Sequence, residues 1–360
     1  TVEAACVCLL FYLPLNVIIT NPNPVFQSWP RMCFFIIVFS LAAPLFKGDY
    51  IAQIRRGVLH GIIIIAAIMA IGSFFCYFAG INYMKNQFDG GEIAADQYMG
   101  SAGAFGGLTN QSIVLGLFSG ISALYMFYRA NKYPDNKKKY WICMGILLIT
   151  LLFAASRSGL LSTLAGLLMM LYQKYENKAN FVKVLLLIVI GAMLTFPLWK
   201  GATEGMMKKQ NRTYNSEAKY GSRSGKWEAR MAEFASSPVF GVGFSAQDPN
   251  GKDTYDKKKG IVEPGSSWLC ILSMTGIIGF ILVLFIFLRP FLFLLTNPSP
   301  YNDFLLGLLV FFFVAFIAEG YIYAGGSALC FISWLVFGCA NDVRAGFIDE
   351  EFEEDGAQVN

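Results

Sequence analysis

Three arginines and one glutamate, at the edges of apolar runs or in the polar stretch between two of them, are the residues of this chain best placed to do chemistry. Arg157 stands between two apolar stretches in Phe153-Ala-Ala-Ser-Arg-Ser-Gly-Leu160, beside residues small enough to let a ligand approach the backbone. An ionisable group there is costly in a membrane, and marks either a site or an arginine snorkelling to lipid phosphates. Arg223, Trp227, Arg230 and Phe234 recur at helical spacing and so share one face. Cations beside aromatics suit a helix lying at the interface, aromatics toward lipid and arginines toward a headgroup or a pyrophosphate. The arginine fork grips two phosphate oxygens at once and stays charged at any working pH. Glu263 precedes Pro264-Gly-Ser-Ser-Trp268. A carboxylate there could serve as a general base toward a hydroxyl if burial raised its pKa, or could simply be solvated.

What must position these residues is a membrane bundle. The chain has 360 residues, 56% hydrophobic and 14% charged, the balance of an integral membrane protein. Apolar runs near 2–20, 29–46, 58–80, 108–128, 140–155, 158–173, 181–199, 265–288, 302–319 and 321–340 predict about ten spans. No alternation recurs at the spacing of a membrane barrel, so the expected class is all-α and polytopic. The expected organisation is helices over 1–199 with an external loop at 81–107, a long polar loop at 200–264, helices over 265–340 and an acidic tail at 341–360. Because the chain opens on Thr1, earlier residues are expected to precede it. No cleavable signal peptide is read at this end.

The polar stretch is too long to be a mere connector; such loops are functional or disordered. Within it, residues 222–238 read as a short helix closed by Pro238, followed by the turn Phe240-Gly-Val-Gly-Phe244. Its twelve Lys and Arg against eight Asp and Glu make it basic. The short basic loops 129–139 and 174–183, and Lys47 with Arg55 and Arg56, mark the cytoplasmic side. Alternation then puts 81–107, the Arg157 junction, 200–264 and Glu319 outside. That does not break the charge rule, since long loops translocate largely regardless of charge.

Other chemistries find little support. The eight cysteines all fall in predicted spans and read as small buried apolar residues without zinc spacing. Asp248, Asn250, Asp253 and Asp256 lack the spacing and terminal glutamate of a calcium loop. His60, the lone histidine, reads as a packing or interface residue. No basic domain with interleaved stacking aromatics suggests nucleic acid, and no phosphate-binding loop, dinucleotide fingerprint or nucleophile elbow is present.

Four stretches together resemble the O-antigen ligase and polymerase superfamily of bacterial membrane glycosyltransferases. They are Gly106-Gly-Leu-Thr-Asn-Gln-Ser112; Ala155-Ser-Arg-Ser-Gly159; Arg223 with Trp227 and Pro238-Val-Phe-Gly-Val-Gly243; and Pro264-Gly-Ser-Ser-Trp-Leu269 followed by Thr275-Gly-Ile-Ile-Gly279. The resemblance covers roughly residues 100 to 340. It implies transfer of a glycan from undecaprenyl pyrophosphate, at the outer face of the bacterial inner membrane, to an acceptor hydroxyl. Carried over, Arg157 and Arg223 would hold the same pyrophosphate and offset the charge that grows on it, with no metal and no cofactor. Glu263 would serve as base, and Arg230, Lys226, Trp227, Asn110, Ser266 and Ser267 would contact substrate. Implied partners are the lipid-linked oligosaccharide donor, a glycan acceptor (lipid-linked repeat unit, lipid A core or protein) and membrane lipids. Ligases of the superfamily carry a histidine just ahead of the returning span. Here Glu263 stands in the nearest place, which favours a polymerase of O-antigen or capsular repeat units. A ligase to lipid A core or a protein oligosaccharyltransferase is the near alternative. A flippase or transporter of lipid-linked sugars is the distant one, and would need ionisable or broken-helix residues near the bilayer midplane.

Overall fold

In lipid every backbone N–H and C=O must find a partner inside the protein, and uninterrupted apolar runs meet that demand as helices. The computed structural model describes residues 1–83, 105–175, 179–184, 186, 224–247 and 265–347, and among them no strand occurs. The chain is an all-α polytopic membrane protein. Its helices are α1 (Val2–Thr20), α2 (Ser28–Ala42), α3 (Asp49–Phe78), α4 (Ser112–Lys132), α5 (Lys137–Phe153), α6 (Arg157–Lys174), α7 (Ser224–Ser236), α8 (Ser267–Thr296), α9 (Pro300–Ala318) and α10 (Ala328–Arg344). Six helices among the described residues are long and apolar enough to cross a membrane: α1, α3, α4, α8, α9, and α2 with the short 3-10 turn before it.

The chain divides into two compact units, one of Thr1–Leu59, Ala218–Thr296 and Ala315–Asn360, the other of His60–Glu217 and Asn297–Val314. In the second unit α4 packs against α5 and α6. The α4–α6 seam is a glycine zipper: a Cβ on Gly116 would fall 2.4 Å from the Ser156 side chain, and one on Gly120 would fall 2.2 Å from Thr163. Small residues at such a seam let helix backbones approach closely, the usual basis of packing in lipid. His60 packs on the rings of Tyr125 and Tyr301.

In the first unit α8 packs against α1, α7 and α10, and α2 against α1 and α10. At one end, buried Arg55 pairs with buried Asp342 at 2.6 Å. Glu3 beside it takes Arg344 at 3.3 Å and Lys47 at 3.4 Å. Charges at membrane depth are expected to be paired in this way.

Two spans differ from the sequence expectation. The run at 265–288 was expected to be continuous, but the helix is broken at Gly276 (φ 63°, ψ −167°) and then continues to Thr296. The run at 321–340 was expected to be helical throughout, but its helix starts only at Ala328, after turns at Tyr321–Ala324 and Ala324–Ser327. Hydropathy cannot see either change, because glycines and tyrosines in an apolar context score like a span.

Candidate functional site

The break in α8 is where this membrane protein becomes specific. Breaking a helix frees carbonyls that lipid cannot satisfy, so something in the protein must take them. Here the loop after α7 does so. The Val242 N–H donates to Ser273 O (2.8 Å), the Gly243 N–H to Met274 O (3.1 Å), and the Ile277 N–H to Pro238 O (2.9 Å). The Tyr12 hydroxyl takes Thr275 O at 2.6 Å. Glycine is required on both sides of this dock. Gly276 has a backbone that other residues rarely adopt, and a Cβ there would fall 2.1 Å from Val239 O. A Cβ on Gly241 (φ 73°) would fall 2.5 Å from the backbone of Met274.

The loop is clasped from behind by Asn16, fully buried in α1. Its side-chain amide donates to Phe240 O and accepts from the Phe244 N–H at 2.8 Å. Arg230, 1% exposed on α7, pins the same loop to α8. One of its guanidinium nitrogens donates to Glu233 (2.9 Å), to Ser273 Oγ (3.2 Å) and to Ala246 O (3.3 Å). Trp227 Nε1–H donates to Gly265 O at 3.2 Å, fixing the start of α8 beneath α7.

Beside this dock, a cavity of about 620 Å³ lies within the first unit. Phe34, Met274, Ile322 and Tyr323 supply apolar wall, and Arg31 and Ser245 supply polar groups. Arg31 Nη1 donates to Ser245 Oγ at 3.3 Å. Such a chamber suits a ligand with an apolar body and an anionic group.

The expected site residues fall into three groups. Lys226, Trp227, Arg230, Ser266 and Ser267 come together where α7 meets the start of α8. Of these, Arg230 does not face a headgroup; burial and its partner Glu233 give it a fastening role. Ser266 and Ser267 are buried too, their hydroxyls donating to Phe316 O (3.0 Å) and Glu319 O (2.7 Å). Lys226 is partly exposed, and a Cβ on Gly265 would fall 2.9 Å from its side chain. Arg157 and Asn110 lie in the second unit, both exposed, at the starts of α6 and α4. Arg157 is the first residue of α6, whose cap Ser156 accepts the Gly159 N–H at 3.2 Å, and the first turn carries no acidic residue. Arg223, Glu263, the aspartates at 248–256 and the acidic tail after residue 347 lie outside the described residues, while 341–344, expected to belong to that tail, complete α10.

Sequence reading passed over Asn16 and Arg31. The signal was available: each is a polar residue inside an otherwise apolar run, which in a membrane protein asks for a partner or a purpose.

This is a helical membrane protein with a loop-docked, broken helix beside a cavity. Residues 142–284 match the family model described as O-Antigen ligase, a match that supports the resemblance to the O-antigen ligase and polymerase superfamily. The matched stretch contains Arg157, the α7 helix, the Gly-x-Gly loop and the α8 break. The chain is also 25% identical over 261 residues to an uncharacterized protein of Haemophilus influenzae, an alignment covering 62% of this chain and 63% of that one. It therefore spans less than two thirds of that relative.

Proposed function

We propose that this chain is a glycosyltransferase of the outer face of the bacterial inner membrane. It moves a glycan from undecaprenyl pyrophosphate to an acceptor hydroxyl and so joins the repeat units of a surface polysaccharide. The observation that carries the reading is the cavity beside the docked loop, apolar in most of its wall with the Arg31 cation at its lining. A pyrophosphate on a hydrocarbon chain has that chemistry. In the reaction the acceptor oxygen bonds to the anomeric carbon as the bond from that carbon to the pyrophosphate breaks. The acceptor proton passes to a base, for which Glu263 is the sequence's candidate. The pyrophosphate leaves as an anion whose charge is offset by cations, for which Arg157 and Arg223 are the sequence's candidates.

The broken helix does not favour a transporter. The break follows about nine residues, or roughly 14 Å of helix, and the remaining ~20 residues are long enough to cross the hydrocarbon core alone. That arithmetic puts the break toward one end of α8 rather than at the midplane. A ligase is the second reading, favoured by the description of the matched family. Against it, the only histidine, His60, packs between Tyr125 and Tyr301.

The test is the glycan profile of a deletion strain. Acceptors capped with single repeat units support the polymerase. Full-length chains stranded on the lipid carrier support the ligase. Unchanged glycans and lipid intermediates would remove the chain from glycan assembly. For sidedness, Asn250→Cys should react with an impermeant thiol reagent in intact cells while Asn136→Cys does not.

A further inference from the structure

We propose that a second, polar groove in the first unit binds the sugar portion of the substrate and selects for uncharged saccharides. This deepens the transferase reading and rests on it. The groove, about 540 Å³, lies between the end of α1 and the far side of the docked loop. Asn21, Asn23, Ser236, Ser237, Phe240 and Gln247 carry its recognition chemistry, and among the described residues none of its lining is charged. That composition is the opposite of a phosphate site. Amides and hydroxyls both donate and accept, as sugar hydroxyls do, and half-exposed Phe240 offers an apolar face for the C–H side of a sugar ring.

Two of these groups have local duties: Asn23 caps the turn after it at 3.0 Å from the Val25 N–H, and Ser236 bonds back to Glu233 O. Gln247 has none. The residue is largely buried and lines the groove, and its side-chain amide has no hydrogen-bond partner among the described residues. An amide that no protein group engages is available to donate to and accept from a ligand hydroxyl. The loop thus has two faces: Ser245 lines the cavity that holds Arg31, and Gly241, Val242 and Gln247 line the neutral groove. An anionic carrier on one face and a neutral sugar on the other would bring a glycosyl pyrophosphate to a single loop.

The test uses the whole protein in lipid nanodiscs, probed with an array of uncharged bacterial surface oligosaccharides and, separately, with inorganic tripolyphosphate. Oligosaccharides should bind, and Gln247→Leu should weaken that binding by about threefold to tenfold, the cost of a lost hydrogen bond. Tripolyphosphate binding should be unchanged in that variant. If Gln247→Leu does not fold, Asn21→Asp and Ser237→Ala, judged folded by thermal melting, should each weaken oligosaccharide binding by a few fold. Arg31→Ala should leave oligosaccharide binding intact while donor binding falls. Absence of oligosaccharide binding, or binding indifferent to all three groove variants, overturns the groove. Oligosaccharide binding in a protein without transfer activity would keep the groove and overturn the transferase.

Discussion

The two units use glycine for opposite ends. In the unit of α4, α5 and α6, Gly116, Gly120, Gly159 and Gly166 stay helical and let one helix lie against another. In the unit of α1, α2, α7, α8 and α10, Gly241, Gly243 and Gly276 take positive φ and let the chain leave the helix. A zipped seam keeps its backbone bonds within helices and leaves no room between them. A broken helix must be met by other segments, and the segments recruited here (Asn16, Tyr12, Arg230 and the Gly-x-Gly loop) enclose space as they meet. The difference explains why both cavities described above lie in the unit with the broken helix.

The comparison breaks most readily at Gly276. Alanine there would carry a glycine-only backbone conformation, costing about 1–3 kcal/mol, and push its Cβ into the Val239 carbonyl, costing a similar amount again. Thermal unfolding in detergent should show a loss of roughly 2–6 kcal/mol, with faster amide exchange at Val242 and Gly243. An unperturbed melting curve would mean that the dock does not need glycine.

Arg230 comes next. Removing one member of a buried, hydrogen-bonded pair typically costs about 3–5 kcal/mol, because the other charge is left unpaired. Arg230→Ala should therefore lose stability, and Arg230→Met with Glu233→Met should recover much of it. Full stability with lost donor binding would return Arg230 to the substrate.

In the zipped unit the effect should be smaller and repairable. A Cβ at Gly120 meets side-chain atoms, Thr163 Oγ1 at 2.2 Å and the Phe311 ring at 2.8 Å, rather than backbone. Overpacking costs about 1–3 kcal/mol, offset by about 1 kcal/mol of helix propensity. Adding Thr163→Ala to Gly120→Ala should restore stability. No such partner change should rescue Gly276→Ala, because the clash there is with backbone. Rescue in both units, or in neither, would erase the distinction.

Local chemistry was legible from sequence, and tertiary compulsion was not. Pro238 and the Phe240-Gly-Val-Gly-Phe244 turn announced where α7 ends, and the charge of Arg157 within an apolar run announced a helix junction. Thr275-Gly-Ile-Ile-Gly279 entered the family resemblance, but nothing in it announced a break, since glycine is common in membrane helices. Gly276 leaves the helix because Val239 and Phe240 press against it, over thirty positions away in sequence. Arg230 misled for the same reason: helical spacing gives its face, but only packing shows that the face turns inward onto Ser273.

The smallest expected effect on stability is at Arg157, and for that reason it is the most telling. A cation in the first turn of a helix faces the positive end of the helix dipole, at a cost of about 0.3–1 kcal/mol. The first turn of α6 has no acidic residue to offset this, and the side chain is exposed. Among the described residues nothing in folding rewards an arginine there, whereas an anionic ligand would be drawn to both the guanidinium and the positive end of the helix dipole. Arg157→Ala should therefore unfold within about 0.5 kcal/mol of the parent protein, or slightly above it. Glycosyl transfer should fall sharply in the same preparation. Arg157→Lys, which keeps the charge but loses the two-pronged grip, should restore only part of it. If both variants transfer glycan at the parent rate, Arg157 is a lipid-facing arginine, and the anion site must be sought among the cations of the other unit.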